Sequence, residues 1–311
     1  MPLDFWFSPW VLGLLGLCIG SFLNVVVYRL PLRMELEWLS DSGEFLQDEA
    51  MLARTLQPDA KRKAEIGAFG KRLVADCQAH PAPGLARPRS RCPSCGHLIT
   101  WYENIPVLSW LMLKARCSAC KTRISARYPL VEAATGALFA AVAWQFGATP
   151  ATAVYCLAIA LLLAAALIDL DTTLLPDTLT FPIAGLGLLA AWMGWTAVSL
   201  PHAALGLMFG YFSLWSVATL FKLLRGRQGM AEGDFRLLAG LGALLGWQQL
   251  LPIILLSSAV GALVGGYMVL VKSHNREVPI PFGPYLAGGG LAALFFGQLL
   301  LALMLPTLLP Q

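Results

Sequence analysis

The chain has 311 residues, 57% of them hydrophobic and only 13% charged. A soluble domain carries nearly twice that charged fraction, so much of the apolar surface must face something other than water. A soluble globular class is thereby excluded, and the formal charge of +4 matters less than where the charges fall.

About 20 apolar residues suffice to carry a helix across the hydrocarbon. Runs of this kind cover residues 10–28, 130–146, 151–168, 179–195, 202–221, 250–271 and 285–305. A shorter, glycine-rich run at 235–247 is read as an eighth span. No basic residue precedes the first run and no clear small-residue cleavage site follows it, so it reads as a span and not as a secretory signal. The expected class is an all-α polytopic membrane protein with about eight transmembrane helices.

Basic residues orient these spans. Of 22 Lys and Arg, sixteen lie from Arg29 to Arg127, four from Lys222 to Arg236, and the last two are Lys272 and Arg276. The turns at 147–150, 194–200 and 247–249 have none. With eight spans every basic segment falls on one side, and basic loops mark the cytoplasmic side. Both chain ends are then expected outside and the long loop inside; seven spans would misplace Lys272 and Arg276. The organisation read from this is a first transmembrane helix (1–28), a cytosolic insert (29–128) and a membrane body of seven further spans (129–311).

The first half of the insert, 34–80, is charged with weak helical periodicity at Phe45-Leu46, Met51-Leu52 and Leu56. It reads as a helical excursion along the surface or as a solvated spacer. Pro81, Pro83, Gly84 and Pro88 then break it. Of seven cysteines, Cys18 and Cys156 lie within spans and read as small packing residues, and Cys77 is isolated. The other four form Cys92-x-x-Cys95 and Cys117-x-x-Cys120, a zinc-knuckle pattern that closes a tetrahedral structural site. Gly96 frees the first turn. Disulfides do not suit a cytosolic loop, and a redox role lacks a thioredoxin-like context. His97 beside the knuckle is an alternative ligand, although four cysteines suffice.

Ten of the 18 acids lie in the insert. Asp4, Glu132 and Glu277 lie near membrane edges. The rest form two groups, Asp169, Asp171 and Asp177 between two spans, and Glu232 and Asp234 at the mouth of the short run. Ionisable groups at membrane depth are functional by default. Two carboxylates brought together in a partly dry site cannot both ionise easily, which makes one a general acid and the other a general base. Such a pair can activate water against a peptide carbonyl with no covalent intermediate, and Gly233 would let a substrate backbone approach Asp234. The plainer reading is helix capping, which suits Asp177 after Pro176. Spacing alone does not choose between Asp169 and Asp171. Zinc-hydrolase, serine-hydrolase and P-loop motifs are missing from the sequence.

The motifs together resemble the bacterial type IV prepilin peptidases, membrane aspartic proteases of the GxGD type. The resemblance runs through nearly the whole chain: residues 20–31 (GSFLNVVVYRLP), the paired CxxC, 103–106 (ENIP), 127–132 (RYPLVE), 169–177, 233–239 (GDFRLLA) and 279–286 (PIPFGPYL). It implies that Asp169 and Asp234 are the catalytic pair. Where the family has the first glycine of Gly-x-Gly-Asp this chain has Ala231, a departure that bears on loop geometry because alanine takes positive φ only at a cost. Glu232 adds a third acid beside the site. The resemblance further implies cleavage of basic leaders from prepilins and pseudopilins, after a glycine, at the cytoplasmic face of the inner membrane. It also implies S-adenosylmethionine-dependent methylation of the new N-terminal residue, usually Phe, with the insert as its home. The glycine-rich nucleotide loop that could mark a methyl-donor site is missing there. Type IV pili and type II secretion are the settings implied. Inner-membrane lipids are expected neighbours, and anionic headgroups could hold the basic leader at the surface; a nucleic-acid partner is not expected. Two rival classes stand beside this reading. A proton-coupled carrier explains the spans and acids but not the knuckles; a membrane scaffold leaves the acids unused.

Overall fold

The computed structural model describes residues 3–57, 59–226, 229–271 and 281–304. Lys272, Arg276, Glu277, Pro279 and Ile280 of the closing motif, and Leu305 lie outside the described residues. Among those described, the fold is all-helical: α1 Leu3–Trp6, α2 Pro9–Phe45, α3 Glu49–Thr55, α4 Ala60–Ala79, α5 Leu108–Met112, α6 Arg127–Phe146, α7 Pro150–Thr172, α8 Asp177–Trp192, α9 Leu200–Arg225, α10 Glu232–Leu245, α11 Leu250–Val271 and α12 Gly283–Met304. Contacts divide the chain into a unit of residues 25–99 and a second unit holding the remainder.

Six helices (α2, α6, α7, α9, α11 and α12) are long and apolar enough to cross a membrane, and α8 is a shorter apolar helix of 16 residues. The eight expected spans therefore correspond to these seven helices plus α10, which has only 14 residues. Its length is explained by its surroundings. α10 packs on α8, α9 and α12, and every residue from Leu237 to Leu244 is buried. Small residues make the enclosure possible. A Cβ at Gly210 of α9 would stand 2.7 Å from the Leu238 carbonyl oxygen, and one at Gly187 of α8 2.5 Å from the Leu244 nitrogen. Close backbone approach at small residues is how helices associate where the surroundings are apolar. The first span docks by the same means: a Cβ at Gly16 or Gly20 would come within 2.8 Å or 2.7 Å of the Cα of Gly136 or Glu132 on α6.

The unit of residues 25–99 is helical through most of its first half. α2 does not stop at the expected membrane edge but runs through Pro31 to Phe45. An internal proline removes one backbone hydrogen bond, and here the helix continues past it. Asp48 caps α3 by accepting the Met51 N–H at 2.9 Å, and Asp59 caps α4 by accepting the Arg62 N–H at 2.7 Å. The helical reading of residues 34–80 thus holds. Gly43 and Gly70 let α2 and α4 cross closely: a Cβ at Gly70 would stand 2.6 Å from the Gly43 carbonyl oxygen. Leu52 of α3 is 1% exposed. After α4 the proline-rich stretch is pinned by Arg29, whose guanidinium donates to the Gly84 and Pro88 carbonyls at 2.6 and 2.9 Å.

Candidate active site and metal centre

Asp169 lies in the last turn of α7 and Asp234 in the first turn of α10. Both are buried, at 4% and 5% exposure. Asp169 Oδ2 accepts the backbone N–H of Gly283, at the start of α12, at 2.8 Å. Asp234 Oδ1 is buried without a hydrogen-bond partner among the described residues. The two carboxyls are close enough for the charge of one to act on the other.

Leu175, in the loop between α7 and α8, fits the same corner. A Cβ at Gly233 would lie 2.6 Å from Leu175 Cβ, and a Cβ at Gly283 would lie 3.2 Å from Leu175 Cδ1 and 2.7 Å from Asp169 Oδ2. Gly233 is therefore needed because Leu175 fills its side-chain space. Ala231 is explained too: at φ −79°, ψ 148° it is ordinary extended backbone before α10, which alanine adopts freely.

The other acids have separate duties. Asp171 forms a two-pronged pair with Arg127 of α6, at 2.7 and 2.8 Å. Asp177 is not the cap of α8 that its place after Pro176 suggested. It is the first helical residue, makes no capping bond, and accepts from Arg236 Nη1 at 2.6 Å. Arg236 Nη2 also donates to Glu232 at 3.0 Å, so this one arginine joins the starts of α8 and α10. Glu132 is buried in α6, where it accepts the Val107 N–H at 2.7 Å. Sequence reasoning missed Leu175, the Gly283 amide and both arginine pairs. Leu175 and Gly283 lay inside motifs already singled out, but only packing assigns their roles.

The four cysteines form two like knuckles. Cys92 N–H donates to the His97 carbonyl and Gly96 N–H to the Cys92 carbonyl, both at 2.9 Å. In the second, Cys117 N–H donates to the Thr122 carbonyl at 2.9 Å and Lys121 N–H to the Cys117 carbonyl at 3.1 Å. Gly96 takes φ +73°, and Lys121 occupies the equivalent place at φ 61°. The sulfurs of Cys92, Cys95, Cys117 and Cys120 lie within 4.8 Å of one another and could hold a metal ion. Four thiolates at about 2.3 Å from a tetrahedral ion stand roughly 3.8 Å apart, so the donor set and its size fit such a centre.

Membrane-length helices that bury two neighbouring carboxyls at helix ends define a multi-pass membrane protein with a paired-aspartate site. Two family models match the chain: the bacterial peptidase A24 N-terminal domain over residues 14–146 and the type IV leader peptidase family over residues 156–266. A prepilin leader peptidase/N-methyltransferase of Stutzerimonas stutzeri is 46% identical, over 96% of this chain and 92% of its own. Proteins of the same name from Pseudomonas aeruginosa and Aeromonas hydrophila are 47% and 45% identical, covering 92% and 93% of this chain and 89% and 92% of theirs. No solved structure matches the chain significantly. The chain belongs to the type IV leader peptidase family, and the carrier reading has no support.

Proposed function

We infer that this protein cleaves the basic leader from prepilins and pseudopilins and then N-methylates the new N-terminus. The observation that carries the peptidase reading is the burial of Asp169 and Asp234 side by side around Leu175, in a chain 46% identical to a named prepilin leader peptidase/N-methyltransferase. The pair works as a general acid and a general base. One carboxylate takes a proton from water as the water oxygen attacks the peptide carbonyl. The other, protonated, gives its proton to the departing amide nitrogen as the C–N bond breaks. The Gly283 N–H fixes Asp169, while Asp234 Oδ1 is buried and has no hydrogen-bond partner among the described residues.

The freed amine is the methyl acceptor. S-adenosylmethionine supplies the methyl carbon: the amine lone pair forms the N–C bond, the C–S pair stays on sulfur, and the amine loses a proton. The four cysteines hold a structural zinc ion that shapes the insert. The arrangement of basic residues supports a cytoplasmic insert and active site in the inner membrane, with both chain ends periplasmic.

The test is cleavage of a purified prepilin by the detergent-solubilised protein. Asp169→Asn and Asp234→Asn should each abolish cleavage and leave the protein folded. Full activity in either variant overturns the assignment.

A further inference from the structure

Methylation needs a place for its donor, and the unit of residues 25–99 contains a fitting one. A cleft of about 300 Å³ is lined by Arg33, Leu36, Glu37 and Ser40 of α2 and by Cys77, Gln78, Pro81 and Ala82 at and beyond the end of α4. Small-molecule pockets begin at about this size. The α2 residues recur at helical spacing, so one face of the helix forms the floor. The opposite lip is the start of the proline-rich stretch that Arg29 straps down one turn earlier on α2. Arg29 is 8% exposed and gives both terminal nitrogens to carbonyls of that stretch. Burying a guanidinium is expensive unless its donors are used. Spending it on a loop gives the lip a fixed position.

The lining has the right chemistry for one class of ligand. Arg33 and Glu37 stand 3.9 Å apart, at the limit of an ion pair, with side chains 41% and 67% exposed. A pair so open and long contributes little to stability, so both charges can be redirected to a ligand. A free amino-acid end carries carboxylate and ammonium on one carbon and complements this neighbouring cation and anion. Leu36, Pro81 and Ala82 offer an apolar wall to an aromatic base, and Ser40 and Gln78 offer hydrogen bonds to its edge or to ribose hydroxyls. The groove also follows Tyr28 by only five to twelve residues, about 8–18 Å of helix.

We propose that this cleft binds S-adenosylmethionine, with Arg33 on the carboxylate and Glu37 on the ammonium of its amino-acid end. The proposal rests on the N-methylation reading above.

Full-length protein in detergent, irradiated with radiolabelled S-adenosylmethionine and digested, should carry label on peptides containing residues 33–40 or 77–82. S-adenosylhomocysteine should compete the label away; adenosine, which lacks the zwitterion, should compete at least tenfold less well. In equilibrium binding, Arg33→Ala and Glu37→Gln should each weaken affinity tenfold or more, with prepilin cleavage in the same preparations reporting on folding. Label mapping elsewhere, or both variants binding as tightly as wild type, overturns the site. If a variant loses cleavage as well, the map on wild-type protein decides. A wild-type protein that methylates the cut prepilin but labels outside the cleft refutes only this proposal. One that neither binds the donor nor methylates removes the methylation reading, and the proposal with it.

Discussion

The Gly283 backbone N–H reaches across 114 residues of sequence to donate to Asp169 Oδ2 at 2.8 Å. The same glycine has no room for a side chain, since a Cβ would stand 2.7 Å from that oxygen. Gly283→Ala should therefore push Asp169 off its donor without touching either carboxylate chemically. A hydrogen bond to a charged group contributes about 1.5–3 kcal/mol, which corresponds to a fall in kcat of about 10- to 100-fold. Prepilin cleavage under saturating substrate measures it. Wild-type kcat in a folded Gly283→Ala protein would show that the amide does not position the aspartate.

Gly233 and Leu175 make a reciprocal prediction. Gly233→Ala places a methyl 2.6 Å from Leu175 Cβ, too close for either to yield by a side-chain rotation alone. Cleavage should fall sharply. Leu175→Ala leaves that Cβ in place but removes the branch that pins the loop, so the loop can shift. The double variant should then recover activity relative to Gly233→Ala, a coupling of about 1 kcal/mol or more. A double variant no better than Gly233→Ala would mean that the glycine answers to something other than Leu175.

Asp169 and Asp171 stand two residues apart on α7, which on a helix points them to different faces. One is buried beside Asp234, while the other pairs with Arg127 where both side chains are about 40% exposed (42% and 38%). An ion pair that open contributes roughly 0–1 kcal/mol. Asp171→Asn should thus lower cleavage by no more than about fivefold, against complete loss in Asp169→Asn. Equal loss in both, measured on the same prepilin, would place Asp171 in the chemistry.

What the sequence made legible followed from local physics. Hydropathy located the six long helices because each must carry an apolar stretch long enough to meet lipid. The CxxC spacing located the cysteine cluster because each knuckle is a local turn. α10 was harder: enclosed by protein from Leu237 to Leu244, it is too short for a window tuned to bilayer thickness. The first helix runs on past Tyr28 to Phe45, because polar sequence signals leaving the membrane and not leaving the helix. Choosing Asp169 over Asp171 needed the family motif. The Gly283–Asp169 bond and the wedge of Leu175 are long-range contacts that no local pattern encodes. The Arg236 fork also joins two segments that only folding brings together.

The two knuckles carry one backbone plan with different residues at its strained point. Gly96 sits at φ +73° and Lys121 at φ 61° in the equivalent places, so the plan does not require glycine. A side chain in the left-handed region costs about 1–2 kcal/mol, and the second knuckle already bears that cost. Structural metal sites hold their fold with several times this energy, about 10–16 kcal/mol in zinc-finger peptides. Gly96→Lys should accordingly weaken the knuckle without emptying it, and the purified variant should retain one zinc per chain. Cys92→Ser and Cys117→Ser remove thiolates themselves and should lose the metal. Both should expose the stretch from 89 to 125 to protease, as should a strong chelator on wild-type protein. Metal analysis beside limited proteolysis reads all four. Zinc missing from freshly purified wild-type protein would end the structural-zinc assignment, and zinc retained in Cys92→Ser would call for another ligand, with His97 nearest in sequence.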